Sequence, residues 1–180
     1  MNFLKKLNLY RRKNKRGFTL VEALLSALLF SILYGACVMV LIAGSNSWQV
    51  NNTKIEVQEE VRKAVNWMQG ELVQAGVSTI TNVPSDGTWY TTITFKTTTG
   101  VSSGSITWSS NTITYSLSSN QLIRASGGVN KTIAQNIQTL QFRRQSTTPS
   151  LLEITMQGQK TTPKGTVLTA SETLGIYLRN

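Results

Sequence analysis
The sequence predicts an α+β protein, with a long amino-terminal helix packed through its second half on an antiparallel β-sheet. Three observations lead to that class. Residues 23–44 carry no charge. Val57, Val61, Ala64, Val65, Met68, Leu72 and Ala75 recur at helical steps. Beyond residue 87 the chain turns to threonine, serine, valine, isoleucine and aromatics in short alternating runs. Its 180 residues leave room for one anchor segment and one modest domain.

The apolar half of the helix comes first. The 22 residues of the uncharged run, at about 1.5 Å each, span roughly 33 Å, enough to cross a bilayer core. The membrane-spanning helix is therefore placed within residues 18–44. Lys5, Lys6, Arg11, Arg12, Lys13, Lys15 and Arg16 precede it and hold that flank in the cytoplasm, with the domain on the other side. Trp48 lies just past the run, where an indole suits the membrane interface, and it is expected to pack. Gly35 and Cys37 fit either close helix contact or ordinary membrane-helix composition, and neither is assigned a role.

Residues 45–76 continue as an amphipathic helix. Glu56, Glu59 and Glu60 precede Arg62 and Lys63 at spacings that allow pairs along a solvated face. Gly76 is placed to stop the helix, and Trp67, beside Met68, is expected to pack.

Residues 77–180 form the β-rich domain. Pro84, Asp86 and Gly87 mark a turn. Strands are expected at residues 90–95, 105–109, 112–117 and 121–125, with hairpin turns at Ser110 and Asn111 and again at residues 118–120. Residues 133–145 read as a strand or as a helix passing into one, because Ile137, Leu140 and Phe142 alternate imperfectly. Residues 151–156 and 173–178 are the last expected strands.

Charge and composition exclude several functions. The net charge is +10, yet seven of the eighteen basic residues lie before Gly17, leaving eleven against eight acidic ones in the remainder. The basicity belongs mainly to the leader and says little about a nucleic-acid surface. There is no histidine, which removes Ser-His-Asp and Cys-His nucleophile systems and His-containing metal sets. Cys37 is the single cysteine, so the domain has no internal disulfide.

The order of the amino-terminal features differs from that of an ordinary secretory signal, in which the cleavage site follows the apolar stretch. Here Gly17 and Phe18 precede it, so a cut between them would retain the helix. Basic residues, then Gly17, Phe18, Thr19, Leu20, Val21 and Glu22, then an apolar helix: this string resembles the leader of the type IV prepilin and pseudopilin family. The resemblance implies a leader at residues 1–17 removed by prepilin peptidase, and N-methylation of Phe18. It also implies assembly with other major and minor pilins or pseudopilins in the inner membrane and then in the fibre.

An ionised carboxylate within a membrane helix costs at least about 2.5 kcal/mol and is normally functional. Cleavage creates an amine on Phe18, four residues from Glu22, and the resemblance implies that Glu22 pairs with the amine of a neighbouring subunit. The other reading of Glu22 is a carboxylate at the interface, favoured by the helix macrodipole.

The run from residue 106 to 128, then NIQTLQFRR, LLEITM and LGIYLRN, resembles the W-type minor pilins and J-type minor pseudopilins of type II secretion. That implies a minor subunit that initiates or caps a type IV pilus or secretion pseudopilus. The alternative is a tip-located binding module, an adhesin or a DNA-uptake subunit. Arg124, Lys131, Arg143 and Arg144 with Trp89 or Trp108 would then hold nucleic acid, although adjacent strand positions put the two arginines on opposite faces. No cofactor, metal or enzymatic activity is expected. Asp86 reads as a turn residue rather than a calcium ligand, and no nucleophile motif frames Lys96, Lys131, Lys160 or Lys164.

Overall fold
The computed structural model describes residues 17–179, so the leader reading lies outside the described residues except at Gly17. The chain divides into two bodies after Ser45. Helix α1 spans Leu20–Leu72. In the first body its side chains are exposed or half-exposed, and this stretch makes α1 long and apolar enough to cross a membrane.

In the second body α1 buries Thr53, Val57, Val61, Ala64, Val65, Met68 and Leu72, the stripe that the spacing predicts. Each large apolar side chain so buried contributes about 1.5–3 kcal/mol. The helix stops four residues before Gly76. The Gln74 and Ala75 amides donate to the Glu71 and Leu72 carbonyls, tightening its end into 3₁₀ turns. Gly76 itself is extended (φ −90°, ψ 142°) and is no left-handed cap. Its missing side chain serves another purpose: a Cβ there would clash with the Trp108 ring. A 3₁₀ turn, Val77–Thr79, follows.

The strands are β1 Ile93–Phe95, β2 Thr98–Ser102, β3 Ser105–Trp108, β4 Ile113–Ser118, β5 Gln121–Ser126, β6 Val129–Ala134, β7 Ile137–Arg144, β8 Leu151–Thr161 and β9 Val167–Tyr177. They form a four-stranded sheet in the order β1-β4-β5-β6, a β2-β3 ribbon and a three-stranded sheet in the order β7-β8-β9. All strand pairs are antiparallel. Phe95, Tyr115, Leu122, Phe142, Leu152, Ile154 and Met156 bury against Met68 and Leu72 of the helix in one core.

Several expectations change. Ser110 and Asn111 do not turn a hairpin, because β3 pairs with β2 while β4 pairs with β1 and β5. Ser119 and Asn120, at φ 49° and 60°, do form the two-residue turn of the β4-β5 hairpin. Residues 133–145 contain no helix. β6 ends at Ala134, Asn136 reverses the chain at φ 59°, and β7 begins at Ile137. β2 was not legible because Thr98–Ser102 is almost wholly exposed, so its backbone bonds to β3 hold it rather than an apolar face. β8 and β9 each reach 11 residues, well beyond the apolar segments that mark them in the sequence.

Charged residues also fasten the helix to the sheets. Glu71 accepts from the Tyr115 hydroxyl on β4 and from Arg124 Nε on β5 at 2.9 and 3.0 Å. Glu60 accepts from the Gln135 amide at 2.7 Å, and Glu56 pairs with Lys160 at 2.6 Å. Of the expected pairs along the helix, Lys63 with Glu60 forms at 3.5 Å. Glu56 and Glu60 are thus tertiary contacts rather than members of a purely solvated face.

Candidate processing and assembly site
Gly17, Phe18 and Thr19 lie outside regular structure, immediately before Leu20 opens α1. All three are exposed, and among the described residues beyond its chain neighbours no atom comes within 4 Å of where a Gly17 side chain would project. The bond between Gly17 and Phe18 therefore sits in accessible, non-helical backbone.

Thr19 is the cap residue of α1 and Glu22 its third helical position. The Thr19 hydroxyl accepts from the Glu22 amide at 3.2 Å, while the Glu22 carboxylate accepts from the Thr19 amide at 2.9 Å and from its hydroxyl at 3.0 Å. This is a reciprocal capping box, which satisfies helix-end donors that would otherwise lack partners. Phe18 lies before the helix, and Thr19 holds the Glu22 carboxylate. Thr19 was not singled out as functional, although threonine three residues before glutamate ahead of an apolar run is the sequence signal of such a box.

The prokaryotic N-terminal methylation motif matches residues 12–38, spanning this junction and the first part of α1. The amino terminus is of the type IV prepilin kind. No curated protein and no solved structure matches the chain. The prepilin motif implies processing by a prepilin peptidase and assembly with other pilins, and the apolar helix fits a membrane-anchored, pilus-incorporated protein.

The basic groups considered for nucleic acid are scattered over the domain. Arg124 and Lys131 are cross-strand partners, but Arg124 is paired to Glu71 and Lys131 Nζ lies 4.2 Å from the centre of the Trp67 ring. Arg143 pairs with Glu153 and covers the Trp89 ring at 4.4 Å. Arg144 is buried on the opposite face, with Nη1 on the Val77 carbonyl at 3.2 Å. Trp108 packs on Gly76, whereas Trp48 is exposed and does not pack. Asp86 holds its turn by accepting from the Thr88 amide at 2.8 Å and the Tyr90 hydroxyl at 2.6 Å.

Proposed function
We propose that the chain is a minor pilin or pseudopilin, a structural subunit that initiates or caps a type IV pilus or type II secretion pseudopilus. Its organisation is a leader at residues 1–17, a transmembrane and assembly helix at 18–44, an amphipathic helix from 45 and a β-rich head to residue 180. The head lies outside the inner membrane and the amino terminus on the cytoplasmic side. Prepilin peptidase cuts between Gly17 and Phe18, Phe18 is N-methylated, and Glu22 meets the new amine of a neighbouring subunit.

The observation that carries this reading is the accessible Gly17–Phe18 junction abutting the cap of an apolar helix. Removing residues 1–17 leaves the Thr19 amide and hydroxyl in place, so the cap survives processing while a free amine arises one residue before it. Amino-terminal sequencing of the cellular protein tests the reading directly. A start at methylated Phe18 is expected, and any other start overturns it. Deleting the chain is expected to reduce fibre number severely, as loss of an initiator would.

A tip-located binding module is the second reading. The β2-β3 ribbon favours it, since Val101 there is 71 % exposed amid serine and threonine. Engagement of Arg124, Arg143 and Arg144 within the domain speaks for an adhesive rather than a DNA-binding tip.

A further inference from the structure
Exposed sheet edges invite pairing with other chains, and folded proteins usually blunt them. Three of the four outer edges of the two main sheets are blunted here. β1 has three residues and is bridged by Asn82, whose side chain bonds the Thr92 carbonyl and the Thr94 amide. β6 carries Lys131. β7 is covered at Phe142 by two backbone bonds exchanged with Tyr90, at 2.7 and 2.8 Å. Among the described residues β9 has none of these devices: its 11 residues contain no proline, lysine or arginine, and its register with β8 is unbroken.

The pairing pattern identifies which groups are free. The Leu178 amide donates to Ser150, next to the Leu151–Tyr177 pair, so even-numbered residues of β9 bond to β8. Thr169, Ser171, Thr173 and Gly175 then direct their amides and carbonyls to the open side. The helix-facing row of β9, Leu168, Ala170, Glu172 and Leu174, is only half-buried because the sheet ends there. Beneath it lies a cleft of about 230 Å³ between Gln58, Val61 and Arg62 of α1 and Ala170, Ser171 and Glu172 of β9.

Charge selects the occupant. Glu172 is the central residue of Val167–Tyr177, so two β9 strands pairing antiparallel in full register would set Glu172 against its own copy, a destabilising like-charge pair. A strand with a cation at that position gains instead. Arg62 on the other wall is exposed and well screened, so its repulsion is weaker than attraction from a directly opposed carboxylate. We propose that β9 accepts an extended strand of a neighbouring fibre subunit, carrying lysine or arginine across from Glu172 and small apolar residues at its flanking helix-facing positions. Naming the partner a fibre subunit rests on the function proposed above; the strand addition itself does not.

The test uses the full chain in detergent micelles and a labelled peptide of about eleven residues, alternating threonine and valine around a central lysine, with central glutamate as control. Fluorescence anisotropy is expected to show the lysine peptide binding at least about tenfold more tightly than the control. Glu172→Lys reverses that preference. Ser171→Pro, which removes an open-side amide without touching the β8 ladder, abolishes binding of both. Equal binding of the two peptides, or binding indifferent to both substitutions, overturns the proposal. Self-association through β9 without peptide would assign the edge to a second copy and also overturns it. Neither peptide needs cleavage at Phe18, so a wrong amino terminus would sink the fibre reading and leave this readout standing.

Discussion

Gly158 of β8 lies so close to Val61 of α1 that a Cβ on the glycine would sit 2.7 Å from the valine Cγ2. The same Cβ would be 3.0 Å from Val57 Cγ1 and 3.3 Å from the Asn136 carbonyl oxygen, so no single rotamer change relieves the crowding. Gly158→Ala is expected to destabilise the domain by about 1–3 kcal/mol, the usual cost of overpacking. A thermal melt of the detergent-solubilised chain checks this, and pairing the change with Val61→Ala should recover part of the loss.

Tyr115 makes stability sensitive to alkali. Burial first, and then its hydrogen bond to Glu71, push the phenol well above its usual value near 10. The folded state therefore holds this proton more tightly than the unfolded state does. Its contribution is complete below about pH 10 and is lost as pH rises above that towards the folded value. Urea midpoints should fall as pH rises from about 10 to about 12, and less so in Tyr115→Phe, which costs about 1 kcal/mol at neutral pH through the lost bond. An unchanged alkaline slope in that variant would contradict the assignment.

Two arginines should respond oppositely to the same change. Arg124 is paired with Glu71, so Arg124→Met strands a partly buried carboxylate and is expected to cost about 1–3 kcal/mol. Arg144 is buried, and desolvation lowers its pKa; its Nε has no hydrogen-bond partner among the described residues. Arg144→Met exchanges a costly charge for an apolar chain of similar length and should be neutral or stabilising by about 1 kcal/mol. Denaturant titration of both variants decides. Neither is expected to alter a salt-dependent DNA affinity, since both side chains are engaged inside the domain.

Thr19 and Glu22 can be separated by assembly. Both variants lose the capping box, worth about 1 kcal/mol of helix stability. If Glu22 also meets the amine of a neighbour, Glu22→Ala abolishes fibre incorporation while Thr19→Val only weakens it, with cleavage unchanged in each. Equal defects would reduce Glu22 to a cap.

The β4-β5 turn is improvable. Ser119 and Asn120 both hold positive φ, which serine resists. Replacing them by asparagine and glycine respectively should raise stability by about 0.5–1 kcal/mol, read as a higher melting temperature.

The features legible in the sequence are those set by near neighbours. An uncharged membrane-length run, a stripe at helical spacing, the turn at residues 119–120 and the Gly17–Phe18 junction each depend on a few adjacent side chains. Ser110 and Asn111 resemble a hairpin turn, yet β3 pairs with β2, and burial of Ile113 and Tyr115 draws β4 to β1 and β5. β2, half of β8 and half of β9 escaped because their polar residues are held by cross-strand backbone bonds, which leave little trace in local composition.

By itself, then, the sequence determined the apolar membrane-length run, the amino-terminal methylation motif and the α+β class, since hydrophobic periodicity and local backbone preference act over a few residues. Only the tertiary structure decided that Gly76 makes room for Trp108, that Gly158 makes room for Val61, that Glu71 meets Arg124 across 53 positions, and that β9 keeps an open edge. Each of these depends on groups far apart in the chain, whose steric and electrostatic fit exists only after the sheets have packed on the helix.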